Sequence, residues 1–198
     1  YFATAERKQE IRDSLCNMLI INYEFLKIQG VRQLHFHLPD NESFLRFHRP
    51  YKFGDNLTNF RYSVKMTNKN KRNYSGFEEG RIFNGFRYVF PLYHQTKHIG
   101  SVEISFSFKA IELILRKHWY NNAGFMLNKK VVNTKVFESE KSNYTQSILS
   151  DNYLHEKDFV CYSADNQNIT KQIDKEISPK IQQQLSDNRN FTVYQKIE

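Results

Sequence analysis

Six basic residues stand on the five short strands expected within the alternating, aromatic-rich sequence from Leu34 to Ser107: His35, His37, Arg46, His48, Arg81 and Arg87. Arg46 and Arg87 sit in otherwise apolar runs. A guanidinium held in such surroundings suits bidentate capture of a carboxylate, because its planar fork presents two parallel N–H groups. His35, His37 and His48 add donors whose charge depends on their setting. Phe44, Phe86 and Tyr88 offer apolar walls for a small molecule. The expected ligand is a small anionic metabolite, most simply a carboxylate. It would be bound by Arg46, His48, Arg81, Phe86, Arg87, Tyr88, His35 and His37. Against this stands a structural role, since Asp55, Glu78, Glu79 and Glu103 are available to pair with the same arginines internally.

Other chemistries find less support. His35-x-His37 places two imidazoles on one strand face with His48 nearby, a start towards a metal site. No carboxylate stands at a matching sequence spacing and Arg46 would repel a cation, so no metal is expected. Neither a GxSxG elbow, a P-loop nor a paired-carboxylate arrangement is present, and no catalytic residue and no cofactor is implied. Cys16 and Cys161 are the only cysteines and form no CxxC pattern. Two free thiols and one disulfide both remain open.

The elements that must position the basic residues can be read from periodicity. Residues 2 to 29 hold no Pro or Gly, and Ile11, Leu15, Met18, Leu19, Tyr23 and Leu26 recur at helical intervals, so a long helix ending near Gly30 is expected. Leu34 to Leu38 and Ser43 to His48 read as a hairpin about the turn-forming Pro39-Asp40-Asn41-Glu42. Side-chain alternation puts Leu34, Phe36, Leu38, Leu45 and Phe47 on one face, and His35, His37, Phe44, Arg46 and His48 on the other. His35 would stand opposite Arg46, and Leu38 opposite Ser43.

A helix from Asn59 to Lys69 is expected next, capped by Thr58, with Phe60, Val64 and Met66 inward. Strands from Ser75 to Arg81, Phe86 to Tyr93 and Ile99 to Phe108 follow, then a helix from Lys109 to His118 with Ala110, Ile111, Leu113 and Ile114 available for packing. Beyond Trp119 the expected elements are short. Strands fall at Phe125 to Leu127, Lys130 to Val132, Phe159 to Ser163 and Phe191 to Ile197. A helical turn falls at Thr145 to Leu149, and a polar helix from Asp174 to Leu185 is interrupted near Pro179. The fold class is α+β: a long N-terminal helix, one five-stranded antiparallel sheet and a smaller second α+β module. The boundaries are 1–30 for the helix, 31–118 for the sheet domain and 119–198 for the second module.

Composition narrows the function classes. Apolar residues make up 39% and aromatics 15% of 198 residues, which is the makeup of a folded protein and not of a disordered tail. The net charge is +8, but the charges are scattered, and the densest cluster is the short run Lys69 to Arg72. Without a basic stripe or a helix-turn-helix signature, nucleic acid is not an expected partner. The sequence opens at Tyr1 inside a helical pattern, as expected of a segment taken from a longer protein whose flanks are membrane helices.

The runs HFHLPDNESFLRFHRP, FGDNL, GFEEGR, GFRYVFPL and IGSVEISFSF resemble the double Cache sensory domains of bacterial histidine kinases, diguanylate cyclases and chemotaxis receptors. The resemblance is closest over Leu34 to Phe108. It implies a PAS-like, membrane-distal sheet domain and a membrane-proximal module, held outside the cytoplasmic membrane between two transmembrane helices. It further implies a homodimeric receptor whose output domain, a histidine kinase or a diguanylate cyclase, lies elsewhere in the protein. After Phe191 to Ile197 a full second module would continue with further strands. A different function stays open: a protein-interaction or structural domain of a membrane receptor with no small-molecule pocket.

Overall fold

The computed structural model describes residues 4–80, 84–119, 124–157 and 167–185. The chain divides into two compact units, Tyr1–Leu113 and Ile114–Glu198. No helix among the described residues is long and apolar enough to cross a membrane.

The first unit opens with helix α1, Ala5–Ile28. Thr4 caps it, its hydroxyl accepting from the Arg7 amide at 3.3 Å. It ends where Gly30 takes φ +90, a conformation that a side chain disfavours. Strand β1 (Val31–His37) and the short β2 (Ser43–Arg46) follow, then helix α2 (Tyr62–Asn70), β3 (Tyr74–Glu78), β4 (Gly85–His94) and β5 (Lys97–Phe106). The five strands form one antiparallel sheet in the order β2-β1-β5-β4-β3. Helix α1 lies over β1 and β2, and α2 over β3, β4 and β5.

The two sheet faces differ in chemistry. On the α1 face Leu34, Leu45, Tyr23 and Phe47 are buried together, with Leu15, Cys16, Leu19, Leu26, Phe36, Phe44, Val102 and Ile104 packed against them. On the α2 face the buried side chains are mostly polar: Gln33, His35, His37, Ser43, Arg46, Arg87, Ser101, Glu103 and Ser105, beside Val89 and Val64. Apolar burial drives the first face together. The second holds only because nearly every polar atom has a partner.

Several sequence expectations are corrected here. A bulge between Phe36 and His37 sets His37, and not Leu38, opposite Ser43, while His35 does stand opposite Arg46. Phe44 consequently leaves the basic face and packs with the apolar cluster. The α2 helix starts at Tyr62 with Arg61 as its cap residue, not at Thr58. Phe60 is therefore outside the helix and exposed. The strand ending at Arg81 stops at Glu78, and Arg81 lies outside the described residues.

Helix α3, Phe108–Trp119, follows β5. Phe108 and Ala110 are buried but Leu113 and Ile114 are exposed. Within the second unit, β6 (Leu127–Asn128), β8 (Tyr153–Glu156) and β7 (Tyr144–Gln146) form a three-stranded sheet in the order β6-β8-β7. The residues expected as a strand at Lys130 to Val132 belong to helix α4, Lys129–Lys135, because Asn128 caps the Lys130 amide at 3.0 Å and turns the chain into a helix. The expected helical turn at Thr145 is instead strand β7. Helix α5, Gln167–Leu185, runs through Pro179 without breaking there. Cys161, Phe159 to Ser163 and Phe191 to Ile197 lie outside the described residues. Cys16 is a free, half-buried thiol.

Candidate functional site

The polar α2 face of the sheet is built by register. His35 on β1 stands opposite Arg46 on β2 and opposite Glu103 on β5, and Glu103 stands opposite Val89 on β4. Arg87 is opposite Ser105, itself opposite Gln33. Strand alternation then aims Gln33, His35, His37, Arg46, Arg87 and Glu103 into one layer. Arg61 and Ser63, at the start of α2, bring further partners from above.

Glu103 is the centre of this layer. It is fully buried, and Arg87 Nη1 donates to its Oε1 at 2.6 Å while Arg61 Nη2 donates to Oε2. Arg87 also donates to Gln33 Oε1 at 2.8 Å. Arg61 Nε donates to Glu78 Oε2 at 3.3 Å, and Ser63 gives Glu78 both its amide and its hydroxyl. Burial alone would raise the Glu103 pKa, but Arg61 and Arg87 outweigh it and hold the carboxyl at about 2. Burial likewise opposes the charge of Arg61, and Glu103 and Glu78 overcome it, so its pKa rises.

Arg46 is paired differently. Its Nη1 and Nη2 donate to Asp55 Oδ1 and Oδ2 at 2.7 and 2.8 Å, and Nη1 also donates to the Lys52 carbonyl at 2.7 Å. The Arg46 side chain is 10% exposed, whereas that of Asp55 is 47% exposed. The clamp is thus an enclosed arginine closed by a surface carboxylate. Asp55 belongs to the segment that turns at Gly54 and is fastened to the β2 edge, with Ser43 N donating to Asp55 O and Gly54 N to Ser43 O.

Burial disfavours the charged form of the three histidines in this layer, His35, His37 and His48. Burial drives His35 well below its ordinary range, with His37 and Arg46 adding to the effect. Burial lowers His37 to about 3, although Glu103 partly opposes it. Burial and then Arg46 lower His48 to about 4. His35 Nε2 shares a hydrogen bond with Ser43 Oγ at 2.8 Å, and His37 Nδ1 with Ser101 Oγ at 3.0 Å. His37 Nε2 and His48 Nδ1 are buried without a hydrogen-bond partner. His37 Nε2 stands 3.8 Å from Glu103 Oε2. With His37 uncharged this is proximity and not an ion pair.

The sequence placed Phe86 and Tyr88 beside Arg87 as apolar walls. The structure puts them on the opposite face, because they alternate with Arg87 along β4. Tyr88 is opposite Ile104, and Phe86 packs with Phe77 and Phe108. The residues brought together are therefore His35, His37, Arg46, His48 and Arg87. Sequence reasoning missed Arg61, whose only signal was an arginine before a helical run, and it underrated Glu103.

Glu103 also completes a trio with His35 and His37 whose potential ligand atoms lie within 4.8 Å of one another. This is the carboxylate that sequence spacing did not supply, since it arrives from another strand. Both its oxygens are engaged by guanidinium groups, and a divalent ion there would face Arg61 and Arg87 at close range. The donor set does not suit a cation.

Residues 18–185 match the family model for the double sensory domain of two-component sensor kinases, the dCache_3 family. The chain belongs to this family. It is a sensory domain of the kind that sensor kinases carry outside the cytoplasm. No curated protein matches the chain.

Proposed function

We propose that this chain is the extracytoplasmic ligand-sensing region of a bacterial transmembrane signalling receptor. Its ligand would be a small carboxylate bound at Arg46 on the α2 face of the sheet. The first unit would be the membrane-distal module and the second the membrane-proximal one, in a receptor of two copies with flanking transmembrane helices. Catalysis would belong to a kinase output domain and not to this chain.

The observation that carries the ligand assignment is the Arg46–Asp55 clamp. Arg87 is enclosed by the protein's own Glu103 and Gln33. Arg46 instead holds a half-exposed carboxylate on a surface segment. A ligand carboxylate can take over both guanidinium bonds while Asp55 moves into water, so the buried charge stays balanced. The unpartnered His48 Nδ1 supplies a further polar contact.

The same segment reaches the long helix. The Arg12 guanidinium of α1 stacks on Phe53 at 3.5 Å from the ring centroid and donates to the Phe44 carbonyl at 2.6 Å. Displacing Asp55 would therefore disturb Phe53, two residues away, and with it Arg12. This provides a route from site to helix. It is effective only in so far as the ligand favours one of two states.

A second reading has its own support. The Arg61–Glu103–Arg87 network is already charge-paired, which favours a structural core and a domain that binds another protein.

A thermal-shift screen of organic acids and amino acids separates the two, because binding to the native state raises the melting temperature. A carboxylate hit is expected, and Arg46→Ala should weaken it by about 2–5 kcal/mol. Asp55→Asn should strengthen the same ligand, since the competing charge is gone. A hit that binds Arg46→Ala with full affinity would place the site elsewhere.

A further inference from the structure

We propose that the C-terminal end of α2 and the turn between β4 and β5 together form a docking surface for a linear polymer of phosphate groups. The surface goes beyond the sensing reading and uses none of the residues of the Arg46–Asp55 clamp.

The observation is a gathering of cations that the sequence keeps apart. No Asp or Glu occurs from 56 to 77 or from 80 to 102. The first run carries Lys65, Lys69, Lys71 and Arg72 and the second Lys97, all exposed. Lys65 and Lys69 stand four apart on α2 and share a face, and Lys71 follows as the C-cap residue. The tip of the β4–β5 hairpin is fastened to this point, with Tyr93 Oη donating to the Lys71 carbonyl at 3.2 Å. Tyr93 is opposite His98, and beside it His94 is opposite Lys97. Burial and then the charge of Lys71 lower the His98 pKa, so the helix end is felt across the hairpin. Among the described residues no carboxylate forms an ion pair with any of the five cations. The acidic turn after β1 reaches α2 at Asn68, but its Glu42 is paired with Lys8, and Asp40 accepts the Glu42 amide.

Charge chooses the occupant. Cations gathered at one end of a sheet without carboxylates raise the local potential, and a polyanion relieves their mutual repulsion. Four of the five are lysines, whose ammonium groups are point charges on flexible stems and meet phosphate without a fixed geometry. They stand exposed and spread over a helix end and a hairpin, which matches successive charges along a polymer and not one small anion. The neighbouring tyrosines lie back on the protein. Tyr74 Oη accepts from Asn70 and from Arg72 Nε at 3.2 Å, and Tyr93 Oη is spent on Lys71. Aromatic rings held in this way do not enter a bilayer, so a polymer fits this surface better than lipid does.

Fluorescence anisotropy of labelled long-chain polyphosphate, titrated with the chain at rising salt, is the test. Saturable binding is expected, with a log–log salt slope of about −3.5, since each of five cations releases about 0.7 counterion from a single-stranded polyanion. Lys69→Gln with Lys97→Gln should weaken binding by roughly ten-fold and make the slope shallower by between about 1 and 2. Lys109→Gln with Lys130→Gln removes the same charge from exposed lysines elsewhere and should change neither. Equal losses in the two double variants would reduce the binding to the net charge of +8 and overturn the surface. Absence of saturable binding at low salt would overturn it as well. Inorganic phosphate that competes as well as the polymer, or phosphatidylglycerol vesicles that bind more tightly and lose binding in the first variant, would overturn the polymer as occupant. The carboxylate thermal shift should persist in Lys69→Gln with Lys97→Gln, so the sensing reading stands or falls on its own.

Discussion

Glu103 decides whether the buried polar layer is stable. It is the shared acceptor of two guanidinium groups that are themselves enclosed. Glu103→Gln should destabilise the fold by about 3–5 kcal/mol, because it leaves a buried positive charge uncompensated. Chemical denaturation would measure this, and a loss below about 1 kcal/mol would show the layer to be wet and relaxed. Acid should act on the same layer. In the unfolded chain histidines take up protons as the pH falls through about 6.5, but folded His48 resists to about 4 and folded His37 to about 3. Unfolded glutamate protonates near the ordinary value of 4.5, whereas folded Glu103 holds off until about 2. In every case the unfolded state binds more protons, so stability must fall with pH, beginning near 6.5 and continuing to about 2. Melting temperatures at pH 7, 5.5 and 4 should descend, and His48→Gln should flatten the upper part of the decline. A melting temperature unchanged from pH 7 to 4 would contradict the neutral burial of these histidines.

At the level of elements, β1 and β5 approach so closely that position 100 admits no side chain. Gly100 has φ +142, and a Cβ there would run into the His37 carbonyl. Gly100→Ala should cost about 1–3 kcal/mol by overpacking. It should also disturb the His37–Ser101 contact, visible as a changed His37 imidazole signal in NMR. A fully stable variant with an unchanged signal would refute the close approach. What was legible in sequence follows the same division of scales. His35 opposite Arg46 could be read because a hairpin turn fixes local register. Glu103 beside His35 could not, since that neighbour depends on β1 lying next to β5, 60-odd positions away in sequence. Alternation along β4 was strong enough to separate Phe86 and Tyr88 from Arg87, and grouping them overlooked it. In the second unit the elements are two to four residues long in the sheet. Runs so short carry no period, and an Asn128 cap outweighs the β-branched Val131 and Val132. The N-terminal helix was legible as a helix, but its apolar residues were merged into one stripe where packing separates two.

Across the whole first unit, the polar layer and the long helix lie on opposite faces of one sheet, so a signal from one to the other must pass through or around it. The sheet itself is a rigid partition, with Leu45, Val89 and Glu103 each fully buried. The edge offers an easier passage. Segment 51–57 wraps β2, holding Arg46 through Asp55 and α1 through Phe53. Lys8 of α1 adds a second tie at the same end through Glu42, at 3.3 Å. Both ties attach to the first half of α1, far from its C-terminal stop at Gly30. Ligand that replaces Asp55 should therefore alter α1 unevenly. Hydrogen exchange is the suitable readout, because it reports local opening residue by residue. With saturating carboxylate, amides from Lys8 to Cys16 should change protection, while those from Tyr23 to Ile28 should change little. Phe53→Ala should abolish the ligand-dependent change in α1 and leave ligand affinity within a few-fold, since Phe53 touches Arg12 and not Arg46's bound carboxylate. Exchange that shifts equally along the helix, or that survives Phe53→Ala, would mean that the coupling runs through the sheet and that the edge segment is only a cover.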